Sequence, residues 1–456
     1  MIRIKNKDDL INNRAPGNTR KARTIALNSL EYVLNAVDAA KLLKSKVKIS
    51  NNQLYAEPYC FDLGKYQHLY VIGGGKAAAS MAVALEEILA DRITRGLVNI
   101  PHGTKLKTNQ IELHESSHPI PDESGVIGTR RMMEIIENTS EDDLVIVLIS
   151  GGGSSLIPLP RNISLQDKRE LTDKLLKSGA RIDEINAVRK HLSYVKGGWL
   201  AKKACPATIL NLIISDVVGD SLESIASGPT VPDSTTFADA HRILERYDLW
   251  KSAPPSIRRL ICDGEKGIIP ETPKADDVCF EKVHSLILGN CRFAAIAAIE
   301  FLKSEGLNTL LLTSSLEGEA KTVGRIMSSI AAEVDLSGNP IHKPAAIVLS
   351  GETVVTVRGK GRGGRNQELA LSAAPKLKNS SVVIASLSTD GVDGPTDAAG
   401  AIVDGKTLDC ADHLKLDPDD FLADNDSYSF FSKLGDLIFT GPTGTNVNDI
   451  SLIIIL

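Results

Sequence analysis

Residues 144–155 read LVIVLISGGGSS, an unbroken apolar run that ends in serine, three glycines and two further serines. The run is short, rich in β-branched residues and does not alternate, so it predicts a strand buried on both faces, with the glycines as the turn at its carboxyl end. The same unit recurs on either side. HLYVIGGG (68–75), RGLVNI (95–100), ATILNLIISD (207–216), HSLILGN (284–290), LNTLLLTSS (307–315), PAAIVLSGE (344–352), SVVIASLSTDG (381–391) and DLIFTGPTG (436–444) are apolar runs closed by small, polar or acidic residues. Helical patterns fall between most of them, and residues 20–44 form another near the start. Continuous strands alternating with helices predict mostly parallel α/β sheet. TVVTVRG (353–359) alternates instead, which predicts a hairpin arm pairing with PAAIVLSGE and hence a mixed second sheet. The stretch 250–282 is rich in Pro, Lys and Asp and reads as the boundary, giving domains 1–262 and 263–456.

Composition narrows the function classes. Aromatic residues are only 4%, so the core must be aliphatic, and a net charge of −5 without a long basic stripe argues against nucleic acid as the partner. The six cysteines show no CxxC or zinc spacing, which points to a reducing cytoplasm. The polar start MIRIKNKDDLINN has no signal-peptide core, and no apolar run is long enough to span a bilayer.

The chemistry is expected in the loops. Gly73, Gly75 and Ala78 in VIGGGKAAA satisfy G-x-G-x-x-A, yet the next strand ends in Asn99 and Pro101, with no acid for a dinucleotide ribose. Lys76 beside a helix N-terminus runs against the helix dipole, which suggests an anion shared between it and the backbone amides. Gly151, Gly152, Gly153, Ser154 and Ser155 offer amide and hydroxyl donors suited to phosphate oxygens, although neither loop is a P-loop. INAVRKHLSYVKGG carries Arg189, Lys190, His191 and Lys196, for which dipole partnering or packing competes with a binding role. Asp216 and Asp220 follow a buried strand, as candidates for Mg²⁺ or helix capping, and Gly228, Pro229 and Thr230 come after them. RGKGRGGRNQE (358–368) sets Arg358, Lys360, Arg362 and Arg365 among glycines ahead of a helix near Asn366, with a solvated basic hairpin as the plainer reading. Asp390, Asp393 and Asp397 lie in a later strand-end loop.

As an ordered set, VIGGGKAAASM, HPIPDESG (118–125), SGGGSSL, INAVRKHLSYVKGGWLA, SDVVGDSLESIASGPTVPD, GETVVTVRGKGRGGRNQE and STDGVDGPTDAAG resemble the glycerate 2-kinase family, whose C-terminal part is called MOFRL. The match runs from about residue 71 to residue 449. The resemblance implies two α/β domains, a mostly parallel Rossmann-like sheet and a smaller mixed-sheet domain, with the active site in the cleft between them. It implies transfer of a phosphoryl group from ATP, with Mg²⁺ or another divalent cation, to D-glycerate, giving 2-phosphoglycerate in sugar-acid catabolism of the Entner–Doudoroff type. Lys76 and Arg365 fall on the family's active-site lysine and arginine. Gly75, Arg189 and Asn366 join them as substrate-binding candidates, residues 151–155 and 228–230 as phosphate-binding ones, and Asp216, Asp220 and Asp390 as metal ligands. A homodimer is compatible with the family. The rival readings are an NAD(P)H-dependent hydroxypyruvate reductase and a non-catalytic sugar-acid or nucleotide sensor.

Overall fold

The computed structural model describes residues 1–13 and 17–456, and residues 14–16 of the polar lead lie outside it. Two compact units result: Ala39–Leu288, and a discontinuous one made of Met1–Asp38 with Gly289–Leu456. The helical pattern at 20–44 is accordingly two helices, Asn18–Ala36 and Ala39–Lys46, which belong to different units.

The continuous unit opens with an antiparallel meander, β1 (Val47–Ser50), β2 (Gln53–Ala56) and β3 (Tyr59–Asp62), whose four-residue strands gave no run long enough to read from sequence. Its main sheet comprises β4 (His68–Gly74), β5 (Arg95–Pro101), β6 (Ile111–Ser116), β7 (Asp143–Ile149), β8 (Thr208–Ile214) and β9 (Val283–Gly289). The order is β6-β5-β4-β7-β8-β9, with parallel pairing from β6 through β8. Counted from β4 this is 3-2-1-4-5-6, the doubly wound order, and the winding reverses between β4 and β7. Every residue of β7 and β8 is buried, as their continuous apolar sequences require.

The expected boundary at residue 262 is corrected by this arrangement. Within 250–282 lies the helix Pro255–Glu265, whose Ile257, Leu260 and Ile261 pack with Leu171, Leu175, Val188 and Phe237. The chain then rejoins the sheet, with the Ile209 amide donating to the Lys282 carbonyl. A proline- and charge-rich stretch is here a surface excursion that closes on the same core, and the division falls after Leu288.

The discontinuous unit holds β10 (Asn308–Leu316), β11 (Ala345–Gly351), β12 (Val383–Ser388), β13 (Gly400–Asp404), β14 (Leu437–Ile438) and β15 (Asp449–Ile455) in the order β10-β11-β15-β12-β13-β14. Only β10 and β11 run parallel, so the sheet is mixed. The predicted hairpin is absent, because the antiparallel partner of β11 is β15, and residues 353–359 form no strand beyond a bridge from Val354 to Glu319. Side chains hold that backbone instead: Asn425 Oδ1 accepts from the amides of Arg358 and Gly359, Asp424 from Lys360 and Asp426 from Arg362. The helix Asn18–Ala36 is fixed to this unit by Arg23, fully buried, which donates to Asp404 Oδ2 (2.6 Å), Asp436 Oδ1 (3.0 Å) and the Leu10 carbonyl (2.8 Å).

Candidate functional site

In open α/β sheets ligands bind beyond the carboxyl ends of the strands, at the point where the winding reverses. That point lies between β4 and β7, and the two loops leaving these strands are GGGK and SGGGSS. Hydrogen bonds lace them together. The Lys76 amide donates to the Gly151 carbonyl (2.8 Å) and the Ala77 amide to Ser150 Oγ (3.0 Å). The glycines permit this closeness: a Cβ on Gly73 would stand 2.0 Å from the Leu148 carbonyl oxygen, and one on Gly75 would stand 2.1 Å from Ser150 Oγ. The G-x-G-x-x-A match therefore reports strand-to-strand approach. Asn99, where a ribose acid would stand, is buried and donates to the Gly125 (3.1 Å) and Leu156 (2.6 Å) carbonyls.

Lys76 and His118 both overhang Gly152. A Cβ there would meet His118 Cδ2 at 2.8 Å and Lys76 Cγ at 3.5 Å, and the left-handed φ of +80° independently favours glycine. His118 belongs to HPIPDESG, a motif whose sequence gives no chemical reason to single it out.

The remaining residues of the 151–155 loop divide in role. Ser155 donates its hydroxyl to the Gly152 carbonyl (3.0 Å), which closes the turn and removes that donor from any ligand. Ser154 Oγ lies 2.7 Å from Ser227 Oγ, which donates to Asn186 Oδ1 (3.2 Å), and Lys196 Nζ reaches Ser154 Oγ at 3.3 Å. Gly228, Pro229 and Thr230 lie against the helix Trp199–Ala204. The Gly228 carbonyl accepts from Gly198, and that of Pro229 from Leu200 and Ala201 at the start of the helix Trp199–Ala204, while Thr230 is buried.

A group of cations underlies this loop. Arg189 ends the helix Ile182–His191, Lys196 follows in the turn, and Lys168 projects from the helix Leu165–Lys177. Burial and the neighbouring Arg189 push the Lys168 ammonium down to about 7, and burial with Arg189 and Lys168 pushes Lys196 down in the same direction. Lys168 was not anticipated. Its signal was its place in the stripe Leu165, Lys168, Leu171, Leu175, an apolar face at helical spacing.

Asp216 lies just beyond β8, next to the loop of β7, and Asp220 follows in a turn at φ +56°. Among the described residues no three His, Cys, Asp or Glu side chains are grouped to hold a metal ion. A magnesium site completed by phosphates and water needs fewer protein ligands than that. Asp390 in the other unit closes its own turn, accepting from Ser388 Oγ (2.9 Å) and the Val392 amide (3.0 Å).

In the discontinuous unit Arg365 opens the helix Arg365–Ala373 and is held from two sides. Asp449 takes Nε (2.6 Å) and Nη2 (3.0 Å), and Glu352 takes Nη1. Three of the five guanidinium N–H groups are thus committed, leaving two for a ligand. Burial pushes the Asp449 carboxyl up to about 6 against the pull of Arg365. Asn366 is buried, donates to Asp393 Oδ1 (3.2 Å) and accepts from Ser386 Oγ (2.6 Å). Asp393 caps the helix through the amides of Asn366 and Gln367. The glycines before Arg365 also answer to packing, since a Cβ on Gly359 would stand 2.2 Å from the Asp424 carbonyl oxygen.

A doubly wound sheet with a lysine, two interlaced glycine-rich loops and buried cations at its switch point defines an α/β protein built to hold an anionic ligand there. Residues 25–262 match the domain of unknown function DUF4147, and residues 345–449 match the MOFRL family. A glycerate 2-kinase of Pyrococcus horikoshii is 44% identical, covering 95% of this chain and 97% of the relative. The crystal structure of glycerate kinase from Thermotoga maritima superposes with a TM-score of 0.83 at 41% identity, covering 95% of this chain and 99% of that one. A relative in Agrobacterium vitis, 44% identical over 84% of this chain and 86% of its own, carries a hydroxypyruvate reductase name. The chain belongs to the glycerate kinase family with a MOFRL C-terminal domain.

Proposed function

We propose that the protein is a glycerate 2-kinase, transferring the γ-phosphoryl group of ATP to the 2-hydroxyl of D-glycerate. The observation that carries this reading is the pairing of GGGK and SGGGSS at the switch point of a doubly wound sheet. Family membership supplies the reaction, and the loops supply what phosphoryl transfer needs, which is positioning and neutralisation of charge. The glycerate hydroxyl oxygen attacks the γ-phosphorus, the bond to the bridging oxygen breaks, and ADP leaves. Lys76 neutralises charge on the phosphoryl group in transit, and the 151–154 backbone cradles the nucleotide's phosphates. Arg365 offers its two uncommitted N–H groups to an anionic reactant, aimed by Asp449 and Glu352. A bound Mg²⁺ would supply charge neutralisation on the phosphates, and Asp216 with Asp220 are the hard oxygen donors that suit it. The hydroxyl proton passes to a carboxylate at the strand end, for which Asp216 and Asp220 are the candidates. No helix among the described residues is long and apolar enough to cross a membrane.

The reductase reading requires a nicotinamide dinucleotide, and the buried, doubly bonded Asn99 at the tip of β5 speaks against a ribose site there. A sensor reading has no effector element to support it. The test is ADP release dependent on D-glycerate, with phosphorus NMR to distinguish 2-phospho from 3-phospho product. Lys76→Ala is expected to lower turnover by roughly 10²- to 10³-fold while the fold is retained. Glycerate-independent ATP hydrolysis alone, or oxidation of NADPH by hydroxypyruvate, would overturn the assignment.

A further inference from the structure

Two other buried cations of the chain have acid partners, and a third, Arg161, lies against the rings of Tyr194, Trp199 and Phe237 and donates to the Pro270 carbonyl (2.7 Å). Arg23 has Asp404 and Asp436, and Lys190 has Glu223 (3.1 Å) and Asp233 (3.2 Å). Lys168 and Lys196 are buried beside the partly covered Arg189, and none of the three has an acid partner among the described residues. Lys168 is 5% exposed, and its Nζ has no hydrogen-bond partner among the described residues. Lys196, fully buried, reaches only Ser154 Oγ and the Ala226 carbonyl (3.1 Å), both neutral. The charges that bear on Lys168 and Lys196 are those of their cationic neighbours, with no carboxylate among them. Such a group is costly to bury, and a leucine or methionine at 168 would continue the apolar face of its helix without that cost.

We infer that Lys168, Arg189 and Lys196 form an anion pocket in which an oxyanion of the substrate pair, a carboxylate or a phosphoryl group, takes the place of the absent acid. Gly152, Ser154 and Arg189 are only partly covered, so the pocket opens on the side of the 151–155 loop. Ser154, tied to Lys196 and Ser227, links the pocket to that loop and transmits occupancy to it. Assigning the oxyanion to glycerate or ATP rests on the proposed kinase activity, whereas the pocket itself does not.

Lys168→Met separates these statements, with Arg189→Gln as the second variant. Thermal unfolding is followed in sodium sulfate and in sodium chloride of equal ionic strength, and KM is measured for D-glycerate and for ATP. Wild type is expected to gain a saturable rise in Tm from sulfate that Lys168→Met lacks. Loss of a charge-assisted contact worth about 1.5–3 kcal/mol raises one KM by about tenfold or more. A rise for D-glycerate identifies the anion as its carboxylate, and a rise for ATP identifies it as a phosphate. The pocket is refuted if both variants keep both KM values within about twofold of wild type and retain the sulfate response. A wild type that responds to sulfate through Lys168 yet shows no turnover would leave the pocket standing and remove the kinase assignment.

Discussion

Lys168 shows how one residue opposes the stability of its own fold. Its ammonium titrates at about 7 in the folded chain against 10.5 in the unfolded one, because burial and the neighbouring cation Arg189 disfavour the charge. The unfolded chain therefore holds an extra proton between these values, and stability rises with pH across that window. Below pH 7 the penalty is complete, with a ceiling of about 5 kcal/mol at about 1.4 kcal/mol per pH unit. Lys168→Met is expected to raise the Tm of the ligand-free protein at pH 6.5, with a gain that shrinks steadily towards pH 10. A Tm that falls at pH 6.5 would mean the amine stabilises the ligand-free fold. Lys76 differs in kind: it stands at the open end of the sheet, where its removal acts on turnover.

At the scale of elements, the approach of β4 to β7 sets the geometry of the candidate site. Gly73→Ala forces a Cβ to within 2.0 Å of the Leu148 carbonyl oxygen and cannot be absorbed by a side-chain rotation. It is expected to cost at least about 3 kcal/mol, as backbone strain and overpacking do, read from chemical denaturation. The equivalent change at the exposed Gly103, where a Cβ meets nothing within 4 Å, is expected to be several-fold milder despite its positive φ. These elements also mark what the sequence disclosed. Nine strands of the two sheets were legible because buried strands are continuous apolar runs, whereas β6, β13 and β15 were not read as strands, and GGGK and SGGGSS were legible because glycine clusters at strand ends have few other uses. The meander at 47–62 was hidden by the brevity of its strands, and the helix Pro255–Glu265 by its proline- and charge-rich surroundings. The partners of Arg365 lie 13 and 84 residues away, a distance no local pattern spans. The occupation of the 358–362 amides by Asp424, Asn425 and Asp426 was invisible for the same reason, while the side chains of Arg358, Lys360 and Arg362 stay exposed.

At the scale of the whole molecule, one unit is inserted within the other. The helix Asn18–Ala36 belongs to a core completed by the helix Cys291–Ser304 together with β12 and β15, and Arg23 is its buried anchor. Arg23→Ala leaves Asp404 and Asp436 buried without a cation and is expected to cost about 3–5 kcal/mol. The loss should concentrate in residues 289–456 by hydrogen exchange, with the doubly wound unit keeping its protection. Synthesis of the chain turns this anchor into a matter of timing. Asp404 and Asp436 follow Arg23 by 381 and 413 residues, so at about 5–20 residues per second the arginine leaves the ribosome roughly 20–80 s before its partners exist. Throughout that interval the doubly wound unit can complete itself while the helix Asn18–Ala36, with Ile25, Leu27, Leu30 and Leu34 exposed, waits for a surface to cover them. Moving residues 1–38 to follow Leu456 through a flexible linker would make each unit continuous, and nascent chains of that order should lose the early window in which the helix is open to proteases and chaperones.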